Sequence, residues 1–311
     1  MGKSEADRGI VTGAPEMVSP TARTGAVLAL LAATVIWGST FVVIDRLLDQ
    51  GEPFFIATAR FAIAFAVLLP LVAWREGVGA ADWVRPAFIA LGLLGVTVNF
   101  GLQNVGLVYT GAADAALVIA LTPIPIAMLA ALFLGERLLR RQLVGIAVSI
   151  CGVALITGAA AETSSAAVFG DLLVAVSTFA WAGYTLVGKR LAPTHSAGTI
   201  TTAGIGWGVA FLLPLALVEA VIVAPPGLSL LGWAGVAYLG IAASAVTFLL
   251  WNYALNVVGA SVAGTFLNLI PVFGVAFAVL AGDSVSPTQL GGGVVVGFGV
   301  WLAARQRGQR R

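Results

Sequence analysis

Residues 98–134 read VNFGLQNVGLVYTGAADAALVIALTPIPIAMLAALFL, and residues 246–282 read VTFLLWNYALNVVGASVAGTFLNLIPVFGVAFAVLAG. Laid over one another without a gap, at a constant offset of 148, they agree at twelve positions, among them Phe100/Phe248, Asn104/Asn252, Gly111/Gly259, Ala112/Ala260 and Pro123/Pro271. A chain this rich in Ala, Gly, Val and Leu gives about four such agreements by chance, so the period marks an internal repeat. Apolar composition does not supply Asn and Pro freely. In a membrane protein, Pro-interrupted segments at matching places in two halves point to a substrate site between them.

Composition places the chain in a membrane. Of its 311 residues 59% are hydrophobic and 10% charged, and mean hydropathy is +1.02, whereas a soluble domain is about a quarter charged. A hydrocarbon core of about 30 Å takes roughly 20 residues of helix. Ten apolar runs approach or pass that length: 26–44, 53–74, 87–108, 112–134, 142–160, 171–188, 199–222, 231–255, 260–281 and 287–304. Strands of a membrane barrel would instead be segments of about ten residues alternating in polarity. The expected fold class is an all-α membrane protein.

Residues 1–23 are polar, hold Pro15 and Pro20, and carry mixed charge, a composition expected to form a disordered cytoplasmic tail. The first apolar run is too long for a signal peptide and lacks a cleavage signature, so it is expected to remain as the first helix. With the N-terminus in the cytoplasm, the inside segments collect Lys3, Arg8, Arg23, Arg75, Arg85, Arg137, Arg140, Arg141, Lys189, Arg190, Arg305, Arg307, Arg310 and Arg311, while the outside segments hold only Arg46. Both termini are therefore expected inside, with 306–311 as a basic cytoplasmic tail. The pI near 9.0 follows from that topology and implies no nucleic-acid partner. The single cysteine, Cys151, excludes an intramolecular disulfide and reads as packing filler between helices.

Ten helices in two repeats leave five for each: 24–160 and 168–305. An odd number makes the second repeat enter the membrane from the opposite side, so the halves are inverted. Inverted halves meet near the midplane and rock about a shared site, opening it to one side and then the other.

Polar side chains in hydrocarbon are costly unless they face protein or water, so they mark the interior of the bundle. On the third helix Asn99 and Gln103 lie one turn apart on one face, as do their repeat mates Thr247 and Trp251 on the eighth. Thr265 and Asn268 precede Pro271 on the ninth helix, and Thr122 adjoins Pro123 on the fourth. Helices 3, 4, 8 and 9 are thus the expected cavity wall. Cavity lining and bonding between helices both remain open for Asn99, Gln103 and Asn268, while Asn104 and Asn252 read as bonds between helices. Pro123 and Pro271 are expected to kink their helices and to leave the carbonyls of Ile119 and Leu267 without intrahelical partners.

Trp37, Ser39 and Thr40 on the first helix, with Trp181 and Tyr184 on the sixth, form a second matched pair of clusters. Their rings suit an amphipathic solute or a cation over an aromatic face. Trp83, Trp233 and Trp301 read as residues of the interfacial belt. Arg60 is the only Lys or Arg placed inside a span. Either it meets a substrate carboxylate, a backbone carbonyl or an acid, or it snorkels to the outer interface. Asp114 reads as the cap of the fourth helix ahead of a part in proton coupling, and Asp171 and Glu219 as solvated acids. Gly145 and Gly152 on the fifth helix, with Gly293, Gly297 and Gly299 on the tenth, permit close approach, as a packing strut or a homodimer face.

Enzymatic readings find little footing. Gly183 to Arg190 resembles a phosphate-binding loop but has Arg190 where Ser or Thr should hold magnesium, and it ends a membrane helix rather than following a strand. One histidine, His195, excludes a histidine-based metal centre, and no nucleophile elbow appears. No cofactor or metal is expected.

Trp37-Gly38-Ser39-Thr40-Phe41, Ala59-Arg60-Phe61, Pro123 and Leu134-Gly135-Glu136, in that order, resemble the drug/metabolite transporter superfamily, EamA type, over residues 24–305. The second half carries altered versions: Trp181 followed by Ala182-Gly183-Tyr184, and Gly282-Asp283 for Gly135-Glu136. The resemblance implies a permease of the bacterial inner membrane, often an exporter of amino acids, metabolites or toxic compounds. The expected function is therefore secondary transport of a small molecule by alternating access, with membrane lipids as the other partner. A facilitative channel, or more remotely a lipid-modifying enzyme, is the alternative.

Overall fold

The computed structural model describes residues 19–77, 83–110, 112–157, 164–223, 227–280 and 285–305. Most of the expected N-terminal tail, the C-terminal tail, Gly111 and Asp283 lie outside the described residues, as does the side chain of Asp114. Among the described residues, ten helices are long and apolar enough to cross a membrane. They are α1 (Pro20–Leu48), α2 (Pro53–Glu76), α3 (Pro86–Tyr109), α4 (Ala112–Ile119 and Pro123–Leu134), α5 (Arg140–Thr157), α6 (Ser165–Leu191), α7 (Ala197–Ile222), α8 (Leu230–Val257), α9 (Ala260–Phe266 and Leu269–Leu280) and α10 (Pro287–Ala304). They form two inverted halves of five.

Short polar and proline signals set the helix starts. Ser19, Ser164, Ser196, Ser229 and Ser286 each accept a bond from a backbone N–H in the first turn of α1, α6, α7, α8 and α10, satisfying a group the helix leaves unpaired. Proline occupies the first turn of α1, α2, α3 and α10, where its missing N–H costs nothing. The chain starts α1 and α6 earlier than hydropathy placed them, because charged and small residues extend the apolar runs as regular helix.

The repeat is written into backbone geometry as well. Within α3, Leu93–Val98 is π-helical, and within α8 so is Ile241–Val246, again 148 residues apart. A π-bulge shifts the carbonyl ladder and is frequent at functional sites. Both α4 and α9 break just before the repeated proline, at Ala120–Thr122 and at Leu267–Asn268. The expectation of free carbonyls there is corrected: Ile119 O accepts from Thr122 N at 2.9 Å and from the Thr122 hydroxyl, and Leu267 O accepts from Ile270 N at 3.0 Å. Tight turns take over the bonds the prolines cannot make. Pro70 and Pro214 sit inside α2 and α7.

Helices α5 and α10 pack along one another through glycine. A Cβ on Gly145 would fall 2.6 Å from Gly299 O, and one on Gly152 2.6 Å from Val296 N; Gly292 and Gly299 are equally tight from the other side. Without a hydrophobic driving force between helices in lipid, such backbone proximity is what dispersion requires. These four glycines serve packing within the chain. Gly297, by contrast, has open space where a Cβ would lie. Cys151 corrects another expectation, since it is exposed on the outside of the bundle.

Candidate functional site

A cavity of about 290 Å³ lies between the halves. Trp37, Thr40, Ile44 and Leu48 of α1 form one wall, Asn99, Phe100, Gln103, Asn104 and Leu107 of α3 another, and Arg60 of α2 projects between them. Ala115, Ile119 and Thr122 of α4, Ser177, Thr178 and Trp181 of α6, and Leu267 and Ile270 of α9 complete it. It runs from the Trp37–Trp181 pair to the bundle surface at Leu48, which is exposed. Three amides, four hydroxyls and one guanidinium among apolar and aromatic walls are the usual composition of a small-molecule site.

Aromatic side chains close the inner boundary of the cavity. Trp37 meets Trp181 edge-on at 5.7 Å and Trp251 at 5.9 Å, Trp181 stacks on Tyr184 at 5.0 Å, and Phe248 contacts Trp37, Phe61, Phe100, Trp181 and Tyr184. Such edge-to-face arrays add energy beyond area and leave little room for solvent.

The π-helical segment of α8 organises this boundary. Its Ala243 carbonyl accepts from Trp37 Nε1 at 3.1 Å, Arg60 Nη2 at 3.3 Å and Thr247 Oγ1 at 2.7 Å. Arg60 also donates from Nε to Ser244 Oγ at 3.0 Å, and its guanidinium lies 5.0 Å from the Phe61 ring and 4.9 Å from the Phe100 ring. At 4% exposure it is an interior residue, which overturns the snorkelling alternative.

Beyond the aromatic boundary the bundle is packed and latched. Gly135 adopts the left-handed conformation (φ 66°) at the end of α4, which a side chain would resist. That turn directs Glu136 across to the start of α9. Its carboxylate accepts from Ala260 N at 2.7 Å, Ser261 N at 3.2 Å and Ser261 Oγ at 2.8 Å, an anion on a helix N-terminus. Lys189 of α6 donates to the carbonyls of Leu255 and Val258, at the end of α8, and Arg190 donates to Phe133 O at 2.9 Å. Acid meets helix start and base meets helix end, as the helix dipoles favour.

Two further acids work similarly. Glu219 accepts from Phe54 N and Phe55 N at the start of α2, while Glu76 accepts from Ser196 and Thr199 hydroxyls at the start of α7. Asp171 accepts from Thr110 Oγ1 at 2.7 Å. The reading of Asp171 and Glu219 as merely solvated is thereby corrected.

Seven of the thirteen sequence-nominated binding residues line the cavity: Trp37, Thr40, Arg60, Asn99, Gln103, Thr122 and Trp181. Six do not. Ser39 bonds Ile36 O and Tyr238; Thr247 and Thr265 bond carbonyls one turn back; Asn268 donates to Ser149 Oγ at 2.6 Å; Tyr184 and Trp251 are buried in the aromatic array. Sequence reasoning passed over Ser177 and Thr178, and it read Asn104, which lines the cavity and also bonds Pro53 O at 3.4 Å, only as a bond between helices. Ser177 and Thr178 lie four and three residues before Trp181, on its helical face.

Comparison with known proteins follows the same two-part division. The model of the EamA-like transporter family matches residues 24–158 and again 168–305. An uncharacterized transporter of Archaeoglobus fulgidus is 34% identical over 286 residues, covering 89% of this chain and 98% of its own. A probable terminal-alkyne amino-acid exporter of Streptantibioticus cattleyicolor is 33% identical over 294 residues, covering 92% and 96%. A crystal structure at 23% identity superposes with a TM-score of 0.75 over 90% of this chain and 96% of the other, a likeness of fold.

Proposed function

Because the chain belongs to the EamA-like transporter family, we propose that it is a secondary transporter that exports small organic metabolites, amino acids or drug-like compounds among them, by alternating access. The observation that carries this reading is the asymmetry of the bundle: a polar, aromatic-walled cavity reaches one end at Leu48, while Glu136 and Lys189 tie the opposite end shut. A channel would need a continuous wet path, and the aromatic array interrupts it.

The charge of the loops supports both termini on the cytoplasmic face of a bacterial inner membrane, which turns the Leu48 end outward. Trp37, Thr40, Asn99, Gln103, Thr122 and Trp181 are then the groups that meet solute. Asn268, Thr265, Thr247, Trp251 and Tyr184 take that part when the other end opens, and Pro123 and Pro271 sit at the breaks where α4 and α9 bend. The relative named a probable terminal-alkyne amino-acid exporter supports an amino-acid-sized solute.

Proteoliposomes preloaded with a candidate solute provide the test. Saturable uptake with counterflow is expected, and flux that rises linearly without counterflow would refute a carrier.

A further inference from the structure

Among the described residues, Arg60 is the one charged group of the cavity wall. Its guanidinium is held by neutral groups, Ser244 Oγ, Ala243 O and the Phe61 and Phe100 rings. Among the described residues it has no acidic partner, Nη1 makes no hydrogen bond, and the cavity wall contains neither Asp nor Glu. A guanidinium cannot discharge by losing its proton, and an uncompensated buried cation is expensive. The aromatic faces and the carbonyl moderate that cost without neutralising it.

Resting on the transporter reading, we infer that Arg60 is the receptor for a carboxylate, and that the solute is a small monocarboxylate with an apolar body. The fork of Arg60 is already aimed by Ser244 and Ala243, so a carboxylate meets donors fixed in direction. The apolar body lies against Trp37 and Trp181. Asn99 and Gln103 offer both amide donors and acceptors to a further polar group on the solute. A phosphate dianion would call for a second cation, and the described wall supplies none. A cationic amine without a carboxylate would meet Arg60 as a like charge.

The test compares matched acids and amides on the full-length protein in lipid nanodiscs, read by quenching of tryptophan fluorescence. The probes are L-leucine against L-leucinamide and 3-phenylpropionate against 3-phenylpropionamide. The acids are expected to bind at least about tenfold more tightly, the effect of one charge-assisted hydrogen-bond pair. Arg60→Gln is expected to erase that preference, and Arg60→Lys to keep part of it. The wild-type comparison needs no variant, so misfolding of Arg60→Gln leaves the proposal exposed to refutation. Amides that bind as well as acids, or a preference that survives Arg60→Gln, would overturn it. Binding of none of the four, alongside saturable counterflow of a neutral or cationic solute, overturns the carboxylate and retains the transporter. Linear flux of every solute overturns the transporter reading itself.

Discussion

Asn104 and Asn252 are the same residue of the repeat in two environments. Asn252 is buried, and its Nδ2 lies within bonding distance of the Tyr184 hydroxyl at 2.6 Å, Thr201 Oγ1 at 2.9 Å and Phe248 O at 3.1 Å. Asn104 lines the cavity, with one long bond of 3.4 Å to Pro53 O. Removing a buried, bonded amide strands its partners at a cost of about 1–3 kcal/mol. Asn252→Ala is therefore expected to lower the midpoint of thermal unfolding in nanodiscs well below that of Asn104→Ala, and equal shifts would contradict the difference in packing. The repeated Asn was legible in the sequence; which copy faces the cavity was not. Periodicity reports that two residues occupy equivalent positions, whereas their exposure depends on which end of the bundle is closed. For the same reason Thr247, Trp251 and Asn268 read as lining from their polarity and position, yet Thr247 turns back to Ala243 O of its own helix, and Trp251 and Asn268 meet Trp37, Trp181 and Ser149 from helices far away in the chain.

At the scale of elements, the breaks in α4 and α9 and the cap on the start of α9 act together. A single carboxylate, Glu136, accepts two backbone N–H groups and a hydroxyl from the first turn of α9, and loss of a cap of this kind costs about 1–2 kcal/mol. Glu136→Gln is expected to loosen this end. With Cys151→Ser to remove the exposed thiol and Val258→Cys as reporter, labelling by a membrane-impermeant maleimide should accelerate; an unchanged rate would count against the latch. The strut of α5 and α10 makes the opposite demand, for rigidity. Gly152→Val must displace the α10 backbone, an overpacking penalty of about 1–3 kcal/mol, while Gly297→Ala meets open space. A large fall in thermal stability for the first and little change for the second are expected. Helix number, Gly-rich faces and Pro breaks were readable because each follows from local chemistry. The π-helical segments were not, since no residue type demands them.

For the whole molecule, fold and family were in reach because ten apolar runs, an odd count per repeat and the bias of positive loops are global regularities. The cavity wall was read only in part: for Arg60 only the tertiary contacts decide between the interior and the interface, and Ser177 and Thr178, on the face of Trp181, join the wall through the packing of α6 against the other half. The paired π-helical segments lead to one last consequence. Two copies of one backbone in unlike surroundings amount to a template and its reflection. Threading the geometry of either half through the sequence of the other yields coordinates for a bundle that opens at the Glu136 end. There Asn104 would be enclosed beside Thr40 while Asn252 stands free. Spin labels placed across each end, one pair near Leu48 and one near Val258, should then change separation in opposite senses when solute is added. Distances that lengthen or shorten together would mean that the chain does not carry the plan of its second shape within its first.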